Sequence, residues 1–147
     1  MTNIIGVDGL AGCFRCGHVW RPRSPEPARC PACKSGLWDV PRLRAIHPGK
    51  GLGIPEVVGP HREELLVALR SNKARNPRVF GSVARSAARK DSDLDLLVDF
   101  DSGASVFDHI GLAQDLEHIF RRKVDVTTPG GLHWLVRPQV LFEASPV

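Results

Sequence analysis

The chain has 147 residues, of which 42% are apolar and 24% charged, and its net charge is +4. That length holds one ordinary domain, or a small domain with a module attached, and that composition excludes wholesale disorder. No apolar run reaches membrane-span length, and the opening MTNIIGVDGL lacks the basic start and apolar core of a signal peptide, so a cytoplasmic protein is expected.

The charge is uneven. Residues 1–54 carry eight Lys and Arg against three Asp and Glu, whereas residues 55–147 carry twelve against thirteen. A basic front module precedes a near-neutral body. The imbalance reads either as a difference in solubility or as a surface for something acidic.

All four cysteines lie in the front module, in CFRCGHVWRPRSPEPARCPAC. Cys13-x2-Cys16 and Cys30-x2-Cys33 face each other across thirteen residues stiffened by Pro22, Pro25 and Pro27. Two matched CxxC pairs bring four thiolates to one tetrahedral Zn²⁺, and a closed shell of this kind is structural. Disulfides disagree with the expected compartment, and a redox site needs one CxxC rather than two. So short a segment buries too little apolar surface to fold unaided, so the metal supplies most of its folding energy. Trp20 and Trp38 are expected to cover its small sheet. The segment resembles a zinc ribbon. Its Arg15, Arg21, Arg23 and Arg29 suit phosphates, but docking or support is preferred over nucleic-acid binding.

The expected boundaries are a ribbon over 1–46, a Gly- and Pro-rich linker over 47–60, and a body over 61–147. Gly49-Lys50-Gly51 lacks the Walker spacing and is set aside as a phosphate loop. In the body, PHREELLVALRSN reads as a helix with acids in its first turn and Leu65 and Leu69 on one face. PRVFGS is a short strand, and a helix is expected to open after Ser82 and run through VARSAAR. DLDLLVDF is a second strand. Ser105 with Asp108 caps a helix carrying Phe107, Leu112, Leu116 and Ile119 as its apolar positions. KVDVTTP is a third strand, and the tail is expected to be helical on both sides of Pro138. The order gives a small mixed α/β domain.

The second strand carries the chemistry. Alternation puts Leu94, Leu96, Val98 and Phe100 on one face and Asp93 and Asp95 on the other. Asp125 stands opposite Val124 and Val126 in the third strand. If these strands are neighbours, three carboxylates converge, and their repulsion calls for a cation such as Mg²⁺. Gly81 permits close backbone approach, and Ser82 offers a hydroxyl beside a helix start. Arg85, Arg89 and Lys90 can neutralise phosphate charge, although Arg89 and Lys90 read more simply as surface. Asp91 and Ser92 read as a turn, Asp99 and Asp101 as solvated strand ends, and His109 and His118 as exposed. Such parts suit phosphoryl or nucleotidyl transfer.

Gly81-Ser82, ten residues, Asp93-Leu94-Asp95 and the later Asp125 resemble the signature of the polymerase-β superfamily. The wording FGSVAR…DSDLDLLVDF is similar to the minimal nucleotidyltransferases over about residues 61–146. That resemblance implies Asp93 and Asp95 as ligands of Mg²⁺ and the nucleotide triphosphate. It implies Asp125 as sharing one metal and activating the acceptor hydroxyl, with Gly81, Ser82 and Arg85 on phosphates. It further implies AMP transfer from ATP to a partner protein, a HEPN-type toxin, as in antitoxins of the family. The family's usual glycine is Ser86 here, and a reshaped turn is expected. The rival readings are a non-catalytic module that grips nucleotide or partner, and an adenylyltransferase for a small molecule. The second would need an extra acceptor-binding domain, for which a basic ribbon is a poor substitute.

Overall fold

The structure, a computed structural model, describes residues 4–5 and 8–147. The chain divides into two compact units, Met1–Arg44 with His133–Gln139, and Ala45–Leu132 with Val140–Val147.

In the first unit, β1 (Ile4–Ile5), β2 (Leu10–Gly12) and β3 (Val19–Trp20) form an antiparallel sheet with β2 in the middle. Its buried cluster is only Ala11, Cys13, Cys30 and Trp38, with Trp20 packed against it. The Trp20 and Trp38 rings meet edge-on at 5.1 Å, and Trp38 Nε1–H donates to the Pro27 carbonyl at 2.8 Å. The two indoles cover the sheet as their sequence positions indicated. Phe14 meets Trp134 edge-on at 5.3 Å in the same unit.

The second unit opens with α1 (Ile54–Val57) and a 3₁₀ turn over Gly59–His61, followed by α2 (Arg62–Ser71). Then come β4 (Ala74–Phe80), α3 (Gly81–Ala84), β5 (Leu94–Phe100), α4 (Val106–Phe120) and β6 (Val124–Thr127). The chain ends with α5 (Arg137–Glu143), whose Val140–Glu143 portion belongs to this unit, and β7 (Ser145–Pro146). The sheet runs β6-β5-β4-β7, parallel between β5 and β6 and antiparallel elsewhere. This is the small mixed α/β fold expected.

Leu65, Ala68 and Leu69 of α2 and Leu112, Leu116 and Phe120 of α4 are buried with Leu94, Leu96 and Val98 of β5. The helix α4 begins as expected: the Asp108 carboxylate accepts the Ser105 N–H at 2.7 Å and the Ser105 hydroxyl accepts the Asp108 N–H at 3.4 Å. This reciprocal cap satisfies donors that the first turn cannot. Phe107 does not join the apolar stripe and is 80% exposed. Five residues from Leu112, it is rotated roughly 140° around the helix.

Several expectations need correction. The stretch 47–60 is bound to the second unit: Val57 and Val58 are in its core, and Leu52 bridges Ala88. The tail is helical only from Arg137, because Pro138 is tolerated in a first turn, and residues before it form turns. Asp99 is not free but bonds Asn76 and Arg78, and Asp101 pairs with Arg75. His109 is half-buried, with Nε2 2.8 Å from the Val126 carbonyl. Among the described residues, no helix is long and apolar enough to cross a membrane.

Candidate active site and metal centre

The parallel register of β5 and β6 pairs Leu94 with Val124, Asp95 with Asp125 and Leu96 with Val126. Register partners share a face, so the two carboxylates emerge side by side while their apolar neighbours are buried. Asp93 lies just before β5, and its carboxylate is 3.6 Å from Lys123 Nζ, a contact the sequence did not announce. Asp125 is exposed, and its carboxylate makes no hydrogen bond or ion pair among the described residues. Burial, then Asp125 and Asp93, push the Asp95 carboxyl above the ordinary carboxylate range; Arg85 opposes this and Glu143 adds to it. A group held so is short of positive charge. The acids are adjacent but not closed on one another. Among the described residues, only the four cysteines form a cluster tight enough to hold an ion as they stand.

The antiparallel partner of Asp95 on β4 is Phe80, so the chain turns at Gly81 directly beside this carboxylate. Gly81 has φ +73°, and a Cβ there would run into the Asp95 carboxylate. Glycine is required twice over, for conformation and for space. The Ser82 hydroxyl has no partner among the described residues. The helix expected through VARSAAR is a single turn, and Ser86 sits outside it at φ +53°. The cause is the earlier segment. The N–H groups of Gly49 and Gly51 donate to the carbonyls of Arg85 and Ser86, both at 2.7 Å, and draw residues 85–88 away from helical geometry. Ser92 turns the chain as expected, its hydroxyl accepting the Arg89 N–H at 2.8 Å.

Sequence reasoning missed Glu143. It is 8% exposed; its Oε1 accepts the Gly81 N–H at 3.2 Å and its Oε2 accepts Arg85 Nη1–H at 2.9 Å. The only sequence signal is an acid within the apolar tail VLFEA, which alternation alone does not flag.

The four thiols occupy two copies of one knuckle. The Cys13 N–H donates to the His18 carbonyl and the Gly17 N–H to the Cys13 carbonyl. Seventeen residues on, the Cys30 N–H donates to Ser35 and the Lys34 N–H to Cys30. Gly17 and Lys34 both have positive φ, as the repeated turn demands. Sγ atoms lie 3.7 Å apart for Cys13 and Cys33 and 3.8 Å for Cys16 and Cys30. A tetrahedral ion with metal–sulfur bonds of about 2.3 Å sets sulfurs about 3.8 Å apart, so the cage fits such an ion. Without a cation, burial pushes the Cys13 thiol up to about 12, while the Ser35 N–H draws Cys33 down to about 7.

The description "nucleotidyltransferase domain" matches residues 64–147. The chain belongs to the nucleotidyltransferase family. It is 33% identical over 90 residues to the protein adenylyltransferase MntA of Thermococcus cleftensis, covering 61% of this chain and 88% of the relative. A solved structure provisionally described as a minimal nucleotidyltransferase is 42% identical, with a TM-score of 0.58, and covers 67% of this chain and all of that one. A toxin–antitoxin crystal structure with AMP-PNP shares the fold at 22% identity and TM-score 0.50, covering 57% of this chain and 69% of that one.

The matched region of this nucleotidyltransferase holds all three acids, the Gly81 turn and Glu143, and the four thiols lie outside it. The glycine segment that reshapes residues 85–88 also precedes it.

Proposed function

We propose that this nucleotidyltransferase moves AMP from ATP to a hydroxyl of a partner protein, a HEPN-type toxin, and so acts as an antitoxin in the cytoplasm. The observation that carries the reading is the side-by-side placement of Asp95 and Asp125 next to the Gly81-Ser82 turn. The names of the relatives favour protein adenylylation over a small-molecule acceptor.

In this reading the acceptor oxygen attacks the α-phosphorus and forms the new P–O bond. The bond from that phosphorus to the bridging oxygen of the β-phosphate breaks, and pyrophosphate leaves with the electron pair. The hydroxyl proton passes to Asp125, which is exposed and unpaired, as suits a group that meets a second substrate. Asp93 and Asp95 would hold Mg²⁺ together with the triphosphate, and the Ser82 hydroxyl would be the donor to phosphate. The elevated Asp95 carboxyl fits a cation of this kind. Bound Mg²⁺ supplies charge neutralisation at the attacking and leaving oxygens. Lys123, 3.6 Å from the Asp93 carboxylate, would have to release it for Asp93 to serve as a metal ligand.

The cage of four cysteines holds Zn²⁺ structurally, and the ribbon over 1–46 gives docking surface for the partner. The segment 47–60, whose Val57 and Val58 lie in the core of the second unit, forms part of the catalytic body. The test is label transfer from α-labelled ATP with Mg²⁺ in host lysate, using the intact chain beside an Asp93→Ala/Asp95→Ala variant. A labelled protein band that needs the acids is the expected result. A labelled small molecule and no band would remove the protein acceptor.

A further inference from the structure

The resemblance assigned Gly81 and Arg85 to the nucleotide's phosphates, yet both already hold an anion of the chain's own. Glu143 accepts from the Gly81 N–H through one oxygen and from the Arg85 guanidinium through the other. We infer that Glu143 is a positioning residue for nucleotide binding: it braces the Gly81 turn and aims Arg85 at the triphosphate. The inference rests on the nucleotidyl-transfer reading and goes beyond it.

Three observations favour a brace over a latch that must swing aside. Glu143 is 8% exposed, whereas Arg85's side chain is 41% exposed, so the acid is the fixed member and the guanidinium keeps a solvent-facing side. The acid sits at the end of α5, and two residues later β7 pairs Ser145 with Val79 and Pro146 with Arg78. Withdrawing the carboxylate would strain an element fastened to the strand that carries the turn. The third concerns charge. Asp95 lies against Gly81, so the turn is held between two carboxylates. The Gly81 N–H is then not available to phosphate. Gly81 contributes shape, and phosphate recognition falls to Ser82, the outer face of Arg85 and a bound cation. A guanidinium tethered by one edge loses less freedom when its other edge meets an oxyanion.

The test measures binding of α,β-methylene-ATP with Mg²⁺ to the full chain by calorimetry. Wild type is compared with Glu143→Gln, Glu143→Ala, Arg85→Ala and the Glu143→Ala/Arg85→Ala pair, with melting temperature recorded for each. Glu143→Ala is expected to weaken binding about tenfold, and Glu143→Gln, which keeps an acceptor oxygen, about threefold. In the Arg85→Ala background, removing Glu143 should weaken binding by no more than about threefold, because only its hold on the Gly81 turn is then left to lose. Unchanged affinity in Glu143→Gln with a lowered melting temperature would reduce Glu143 to a structural role and overturn the inference. Tighter binding in either Glu143 variant would make it a competitor of phosphate and overturn it as well. Wild type that binds no nucleotide with Mg²⁺ strikes the transfer reading itself, a failure distinguished because every variant then behaves like wild type.

Discussion

Asp95 closes over Gly81: the space a Cβ would occupy on the glycine is taken by the aspartate's carboxylate. The strand end and the turn that follows β4 are thus fitted to each other with no margin for a side chain. Gly81→Ala meets this barrier and also a φ of +73°. The conformational part alone costs about 1–2 kcal/mol. The variant is expected to remain folded and to lose label transfer by at least about a hundredfold, since the carboxylate must move from its place at the centre of the site. Retention of near-normal transfer would show that the turn is not in contact with the reacting groups.

Asp95→Asn should abolish transfer and yet stabilise the metal-free protein. The folded-state carboxyl is raised by burial and by Asp125 and Asp93, so ionising it costs more in the folded chain than in the unfolded one. That penalty is absent well below the ordinary carboxylate range and grows as pH rises through the elevated folded value. The variant's melting temperature should therefore exceed that of wild type at neutral pH, and the gap should close toward pH 4 or so, near the unfolded value. Solvent screening at this half-buried group keeps the gain within about 1 kcal/mol. A thermal scan across pH in a chelating buffer checks it, and a gap that widens on acidification would contradict the assignment.

Ser86→Gly should stabilise the protein. Ser86 holds φ +53°, a conformation costly to any residue with a Cβ and open to glycine. The net gain is expected at about 0.5–1 kcal/mol, or roughly 1–4 °C in melting temperature for a chain of this size. Nucleotide binding should stay as in wild type, because Ser86 touches none of the three acids. A fall in melting temperature would mean that the approach of Ser86 Oγ toward Gly53 contributes more than the strain removes.

One Zn²⁺ per chain is expected by elemental analysis, and Cys16→Ser should lose it. Trp38 is 2% exposed and packs on Cys13 and Cys30, so unfolding of the cage exposes its indole. Chelation of wild type should reproduce the variant's tryptophan emission, shifted toward that of solvated indole. Emission identical with and without chelator would separate the metal from the fold of this unit.

What could be read in the sequence was whatever depends on local periodicity. Alternation along LDLLVDF assigned Asp95 and Leu96 to opposite faces, and the Ser105–Asp108 pair marked a helix start. Those signals need only a few neighbouring residues. The unread parts depend on partners far along the chain. Ser86 leaves helical geometry because of Gly49 and Gly51, more than thirty residues earlier. Glu143 meets Gly81 across sixty-two residues, and β7 exists only because β4 offers it an edge. Phe107 has a plainer cause: five residues from Leu112 it points roughly 140° away from the apolar stripe, so hydrophobicity alone does not place it in the core.

The distribution of aromatic rings has an optical consequence. The three tryptophans are Trp20, Trp38 and Trp134, all in the unit formed by Met1–Arg44 and His133–Gln139, and the chain has no tyrosine. The unit of Ala45–Leu132 with Val140–Val147, which holds the acids, is therefore dark under red-edge ultraviolet excitation. Intrinsic fluorescence of the unmodified chain follows the thiol-bearing unit alone, and a tryptophan introduced into the acid-bearing unit would report on it against a background that metal removal can shift independently.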